Sequence, residues 1–325
     1  MLADLLAEFF EKNPEIKNQA DYAIAVSGGP DSMALAHALL KTYPDKKFHL
    51  VTVDHGLRKE AKKEAEKVRI FFAAYENATH CILKWEDKKP ENAVMEQARR
   101  ARYALLDEYC FSRNIKTVFI GHHQDDQAET FLIRLSKGSG LDGLTSMQSL
   151  SKRDHIMLAR PFLSVPKVEL ISYCEQNNVV FVDDPTNESS NYMRPRLRQS
   201  MKVLEAEGLT AKRLFVTAKR LERAREAIIF YTKKISEEAL IREDKDQTIL
   251  DFEILQQAPE EISFRIIQNL IEGQRSGYDY NVRMEKLEDL FESLMNNSKN
   301  YKPRTLGGCL ITLNKNQLVI EKEKK

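Results

Sequence analysis

The feature that most constrains this chain is a six-residue turn, Ser27-Gly28-Gly29-Pro30-Asp31-Ser32, set between an apolar run at Tyr22 to Val26 and an apolar-rich segment beginning Met33-Ala34-Leu35. That order reads as strand, tight loop and helix start. Gly28 and Gly29 lack a Cβ, so the backbone can take positive φ and come close to a ligand. Pro30 suits the first helical turn, where no N–H is needed. The unpaired N–H groups of that turn, the helix dipole and the hydroxyls of Ser27 and Ser32 together make a cradle for an anion such as a phosphate. Asp31 is the exception. A carboxylate beside a phosphate repels it unless a cation lies between them, which points to a nucleotide with Mg²⁺ bridging to Asp31. The loop has no lysine, and the lysine-containing G-x-x-x-x-G-K-[ST] loop occurs nowhere in the chain, so the phosphate chemistry differs from that of P-loop enzymes.

The residues of this turn resemble the SGGxDS loop of N-type ATP pyrophosphatases, which cleave ATP between its α and β phosphates and hand AMP to a substrate oxygen. The competing reading is an ordinary Gly-Gly-Pro turn, and the strand before it and helix after it favour the nucleotide site.

Downstream, apolar runs at Phe48 to Val53, Thr79 to Leu83 and Thr117 to Ile120 alternate with helical patterns at Lys62 to Tyr75 and Asn92 to Arg113. That alternation predicts an α/β fold: a parallel sheet with helices on both faces, and ligands bound beyond the carboxyl ends of the strands. Polar clusters stand where that rule wants them. The second strand runs into Asp54-His55-Gly56-Leu57-Arg58, and the Thr117 strand into Gly121-His122-His123-Gln124-Asp125-Asp126-Gln127-Ala128-Glu129-Thr130. Three strand ends should therefore converge on one crevice.

The last of these clusters is the richest in chemistry. On a helix, Asp125 and Glu129 are four apart and Asp126 and Glu129 three apart, so they can share a face able to hold a metal or an ammonium group. Acids are favoured at a helix N-terminus in any case, which is the plainer explanation for any one of them. His122, His123, Asp125 and Asp126 also include the ligand types of a metal phosphohydrolase, but that reading leaves the glycine loop unexplained. Gly138-Ser139-Gly140-Leu141-Asp142-Gly143 satisfies G-x-G-x-x-G yet follows a helix, so it is a loop and no dinucleotide fingerprint.

Charge is informative only in its distribution. Fifty Lys and Arg against 49 Asp and Glu give a net charge of +1, which neither supports nor excludes a polyanionic partner. From Arg194 to Arg225, however, ten basic residues stand against three acidic ones, the footprint of a polyanion site. A solvated helix face rivals that reading for Lys212 to Arg225. In the Asn92 to Arg113 helix, Arg99 and Arg100 are assigned to solvent, whereas Arg102, three residues before Leu105, should point inward. Four cysteines, Cys81, Cys110, Cys174 and Cys309, lie far apart with no C-x-x-C pair, which argues for buried thiols over a zinc ribbon, cluster or disulfide framework. No apolar run reaches the roughly 18 residues of a membrane span. The start, with Leu2, Leu5, Leu6, Phe9 and Phe10 broken by Asp4, Glu8 and Glu11, reads as an amphipathic helix rather than a signal peptide, so a cytoplasmic protein is expected.

The 325-residue length allows about two domains. The first is placed at 1–209. The second, 210–325, opens with a long helix capped by Thr210 and running to about Leu240. It continues with helices at Pro259 to Glu272 and Arg283 to Asn296, and with strands at Arg304 to Leu306, Cys309 to Leu313 and Gln317 to Glu321, a smaller mixed α/β unit without a catalytic constellation.

Taken together, the motifs resemble those of the tRNA(Ile)-lysidine synthetase family: Ser27 to Ser32; Val53 to Arg58; Glu96 through Arg99 to Arg102-Tyr103; Gly121 to Thr130; Gly138 to Leu144; and Asp184-Pro185-Thr186-Asn187 with Arg194 and Arg198. Pro195 departs from the pattern, where Asn usually follows the arginine. The resemblance implies a two-step reaction on the wobble cytidine of a CAU-anticodon tRNA(Ile). ATP adenylates the C2 oxygen with loss of pyrophosphate, and the ε-amine of free L-lysine then displaces AMP. It implies ATP at Ser27, Gly28, Gly29, Pro30, Asp31, Ser32, Asp54, His55, Arg58 and His122, with Mg²⁺ on Asp31. Lysine is expected at Asp125, Asp126 and Glu129, and tRNA at Arg194, Arg196 and Arg198 with help from the second domain. Asp31, Arg102, Asp126, Glu129 and Arg194 are the expected catalytic set, and a homodimer is left open. Two other classes compete: a tRNA thiolation enzyme of the same superfamily, which typically relies on cysteines, and a non-catalytic ATP-binding module.

Overall fold

Successive residues of the first strand face opposite ways, and both faces are apolar. In β1 (Asp21–Ala25), Tyr22 and Ile24 enter one core and Ala23 another, as a strand buried on both sides requires. The computed structural model describes residues 1–56, 61–86, 94–182, 193–274, 282–296 and 298–323. It divides into two compact units, Met1–Leu221 and Glu222–Lys325.

In the first unit, α1 (Leu2–Lys12), α2 (Pro14–Lys17), β1, α3 (Pro30–Thr42), β2 (Lys47–Asp54), α4 (Ala61–Phe72), β3 (Ala78–Lys84), α5 (Val94–Ser112) and β4 (Thr117–Ile120) follow in order. Then come α6 (Gln124–Leu135), the short α7 (Leu141–Leu144), β5 (Leu150–Arg153), β6 (Ile156–Ala159), α8 (Lys167–Gln176), α9 (Met193–Ala206) and the first part of α10 (Ala211–Ala239). The sheet order is β3-β2-β1-β4-β6-β5. All pairings are parallel except β5 with β6. The expected parallel sheet with helices on both faces is therefore present, and it carries one antiparallel edge strand that the sequence reading did not anticipate. β5 reads Leu-Ser-Lys-Arg and is only partly buried, too short and polar for hydrophobic periodicity to mark it.

On one face, Leu2, Leu6, Phe9 and Phe10 of α1, Met33, Leu35 and Leu39 of α3, Val68 and Phe72 of α4 and Leu170 of α8 pack on Tyr22, Ile24, Phe48, Leu50 and Phe119. On the other, Tyr103, Leu106, Tyr109 and Cys110 of α5 cover Ala23, Val51, Val118, Ile156 and Leu158. Cys110, Cys174 and Cys309 are buried and Cys81 is half-buried, all as free thiols. Thr210 caps α10 by accepting from the Arg213 N–H at 3.3 Å.

The second unit holds the rest of α10, β7 (Leu240–Glu243), β8 (Gln247–Asp251), α11 (Phe252–Gln257), α12 (Glu260–Gln274), α13 (Met284–Asn296), β9 (Arg304–Leu306), β10 (Cys309–Asn314) and β11 (Gln317–Lys322). Its antiparallel sheet runs β7-β8-β11-β10-β9. Leu250, Ile311, Leu318 and Ile320 pack there against Ile266 and Ile267 of α12 and Leu290 and Leu294 of α13. No described helix is long and apolar enough to cross a membrane.

One glycine fixes how closely the strand ends can approach. A Cβ on Gly121, just past β4, would lie 2.8 Å from the Asp31 carbonyl oxygen and 3.0 Å from the Ser32 nitrogen, both backbone atoms of the α3 start. Gly273, in α12, has open space around it. Gly121→Ala should therefore cost about 1–3 kcal/mol, as overpacking does, and lower the thermal midpoint by several degrees. Gly273→Ala should leave it unchanged or raise it slightly, because a helix interior favours Ala over Gly. Equal midpoints for the two variants would show that the close approach carries no strain.

Candidate functional site

The loop after β1 is held by its own serines. The Ser27 N–H donates to Ser32 Oγ at 3.1 Å, the two hydroxyls lie 3.2 Å apart, and Ser32 Oγ donates to the Gly29 carbonyl. Gly28 has φ +89°, a left-handed conformation that only glycine takes at little cost. Its carbonyl accepts from the Val182 N–H at 2.9 Å. Gly29 is the N-cap of α3, Pro30 opens the helix, and no side chain caps that end. The N–H groups of the first turn thus stay available to an anion.

Asp31 projects from this turn toward the end of β4, where it meets His123. His123 Nε2 lies 3.6 Å from Asp31 Oδ2 and 3.5 Å from Asp126 Oδ2, and its Nδ1 lies 3.4 Å from Asp125 Oδ2. The ring is buried. Burial alone would lower its pKa, but pairing with Asp125 and Asp31 and the charge of Asp126 outweigh that and raise it to about 10. His123 is a buried imidazolium.

The three acids have further duties. Asp126 accepts from the His123 backbone N–H at 3.2 Å, closing the N-terminus of α6. Asp125 accepts from the Lys167 N–H at 3.0 Å, tying α6 to the start of α8. Its burial favours the neutral form, yet the contact with His123 and the Lys167 N–H bring its pKa below the ordinary carboxylate value. Asp31 Oδ1 is buried without a hydrogen-bond partner. Such an orphaned carboxylate oxygen, at the mouth of an anion cradle, suits Mg²⁺, which typically takes one or two carboxylates and completes its shell with phosphates and water. No group of three or more His, Cys, Asp or Glu among the described residues forms a metal cage of its own.

One turn along α6, Glu129 is buried and bonds Arg198 of α9 through Oε1 at 2.5 Å. Its Oε2 lies 4.0 Å from Arg194 Nε and has no hydrogen-bond partner. A cavity of about 230 Å³ opens here, lined by Asp125, Glu129, Lys167, Arg198, Lys202 and Glu205 among others. A larger one, about 610 Å³, lies by Met1, Lys41, Thr42 and Asn177, at the far end of α3 from the loop, and contains none of the site residues.

The neighbouring histidine has the opposite environment. His122 Nδ1 accepts from Arg160 Nε at 3.2 Å. Burial, then Arg160, Arg102, Arg99 and Arg194, hold its pKa well below the usual imidazole value. Arg102 is half-buried near the Tyr103 ring, and desolvation lowers its pKa. Arg99 and Arg100 are exposed, Arg100 paired with Glu96 at 2.7 Å, as their helical positions led us to expect.

Of the remaining sequence-derived candidates, Asp54 ends β2 and accepts the Gly56 N–H at 2.8 Å, and His55 meets Trp85 edge to face. Arg196 is exposed and Arg194 half-buried on α9. Arg58 and the segment Asp184-Pro185-Thr186-Asn187 lie outside the described residues. The sequence placed His123 only in the competing metal-phosphohydrolase reading and assigned no role to Arg160. The only signal for Arg160 was its position immediately after an apolar run.

Comparison with known proteins follows the same lines. Residues 2–205 match the family model of the PP-loop domain. Among curated relatives, the tRNA(Ile)-lysidine synthase of Bradyrhizobium diazoefficiens is 36% identical over 92% of this chain and 89% of its own. That of Methylobacterium nodulans is 38% identical over 92% and 89%, and that of Wolbachia pipientis 34% over 89% and 67%. The solved U34-tRNA thiolase NcsA of Methanococcus maripaludis, which carries a [4Fe-4S] cluster, superposes with a TM-score of 0.55 at 20% identity, over 67% of this chain and 80% of its own. That likeness shows the shared fold. A PP-loop domain across the first unit and relatives matched nearly end to end make this chain a member of the tRNA(Ile)-lysidine synthase family.

Proposed function

We propose that this protein ligates L-lysine to C2 of the wobble cytidine in CAU-anticodon tRNA(Ile), using ATP to adenylate the base and releasing pyrophosphate and AMP, in the cytoplasm where these substrates meet. The observation that carries the reading is the joining of the phosphate loop and the acidic cluster into one site through Asp31 and His123. Three acidic side chains share the one His123 ring, so acids outnumber bases around it. Such a cluster attracts cations, and lysidine formation needs a metal ion on the nucleotide and an ammonium on the amino acid.

For the first step, the first-turn N–H groups with Ser27, Gly28, Gly29, Pro30 and Ser32 hold the phosphates. Asp54, His55 and Arg58 belong to the nucleotide's other end. Asp31, together with the phosphates, would hold Mg²⁺, which when bound neutralises phosphate charge. Arg102 and Arg194 supply fixed positive charge toward the oxygen that takes the adenylate, where it needs no reorganisation. For the second step, Asp125, Asp126 and Glu129 hold the lysine amine, and one of the carboxylates takes its proton before attack. The 230 Å³ cavity lined by Asp125 and Glu129 supports placing the amino acid there. Arg196 and the basic face of α10 serve the tRNA backbone, with the second unit assisting. Arg198 is already engaged by Glu129, so its first duty is to pair with that buried carboxylate and orient it.

A thiolation role is the less favoured reading. Cys174 lies beneath the loop, bonded to the Pro30 carbonyl, and burial pushes its thiol up to about 12, which leaves no thiolate to act as nucleophile.

Two variants separate the steps. Asp31→Asn keeps shape but removes the charge, and should cut pyrophosphate release by about 10²–10³, the scale of one lost electrostatic contact, while far-UV circular dichroism stays native. Near-normal release would refute the nucleotide role. Glu129→Gln should lower lysidine formation about tenfold or more, as loss of a charge-assisted hydrogen bond does, with pyrophosphate release changed less than threefold in the same single-turnover sample. If both products fall together, Glu129 serves adenylation and the lysine site lies elsewhere.

A further inference from the structure

The bond between Arg160 and His122 constrains what His122 can do. β4 and β6 pair in parallel, Phe119 beside Ala159, so the strand ends bring the two side chains together. Arg160 is buried and firmly anchored, its Nη1 donating to the Gln148 carbonyl at 2.8 Å and to Ser151 Oγ at 2.9 Å. Its Nε points at His122 Nδ1. A guanidinium only donates and stays charged. Nδ1 must therefore present a lone pair, and the ring's single proton sits on Nε2. A second proton, on Nδ1, would set N–H against N–H and cation against cation. Among the described charged groups facing the ring are Arg99, Arg102 and Arg194 besides Arg160, all positive.

We propose that Arg160 is a positioning residue that locks His122 as the neutral Nε2–H tautomer, so that the ring offers a hydrogen-bond donor, and no base, to a phosphate oxygen of the nucleotide at the strand ends. The identity of that acceptor rests on the proposed function; the tautomer does not. A ring so held adds a directed donor among the arginines without a charge of its own to desolvate. It cannot take a proton from the lysine amine, which leaves that duty to the carboxylates around His123.

The tautomer is read by long-range ¹H–¹⁵N correlation on the full chain labelled at histidine, with His122 assigned by its absence in His122→Gln. The expected spectrum at pH 7 has His122 Nδ1 bare and Nε2 protonated, and Arg160→Met should populate the other tautomer or let the ring charge. A wild-type ring protonated on Nδ1 or on both nitrogens, or a pattern unchanged in Arg160→Met, would overturn the inference. Because that variant also loses the Gln148 and Ser151 anchors, a second pair of variants tests the donor independently. Gln places an amide N–H near the Nε2 position and Asn near Nδ1, so pyrophosphate release should fall about 10- to 100-fold in His122→Asn and recover most of that loss in His122→Gln. Equal loss in both would overturn the donor role. Wild-type protein that shows the tautomer yet releases no pyrophosphate with ATP and CAU tRNA would count against the proposed function and leave the Arg160 lock standing.

Discussion

The site depends on one buried cation. His123 lies within 3.4–3.6 Å of carboxylate oxygens from three residues, Asp31 at the start of α3 and Asp125 and Asp126 at the start of α6. Without a positive charge among them, three carboxylates at partly buried positions would repel one another and pay desolvation with nothing in return. With it, the ends of β1 and β4 are bound into one crevice, and Gly121 permits the approach because no Cβ stands between them and the α3 backbone.

Adjacent histidines of the same type carry opposite charge because their side chains meet different neighbours. His123 falls among acids and is protonated; His122 falls among arginines and is neutral. The site is divided accordingly. One side holds Arg102 and Arg160 beside His122. The other holds Asp125, Asp126 and Glu129, with Arg194 and Arg198 against Glu129.

Much of this was legible in the sequence. Ser27 to Ser32 specified the strand–loop–helix turn with its uncapped helix start, the strand and helix alternation specified the sheet, and the spacing of Arg102 from Leu105 specified that Arg102 is not fully exposed. Local pattern could not show which partner each polar group would find. Arg198 and Glu129 are far apart along the chain and meet only when α9 lies against α6, so an arginine assigned to tRNA is in part a counter-ion for a catalytic candidate. The Arg160 contact depends on β4 and β6 being neighbours, which is a matter of topology and not of motif. β7 is fully exposed and β5 only partly buried, so neither carried the hydrophobic alternation that marks a strand.

The dependence on His123 is most directly measured by a double-mutant cycle in which His123→Gln, Asp126→Asn and the double variant are compared with wild type by urea unfolding. Two groups that interact as an ion pair in a shielded site should show a coupling of about 1–3 kcal/mol, each single change costing far more than it does when the partner is already gone. Additivity within about 0.5 kcal/mol would mean that the imidazolium does not hold the acids together, and the crevice would need another organising force.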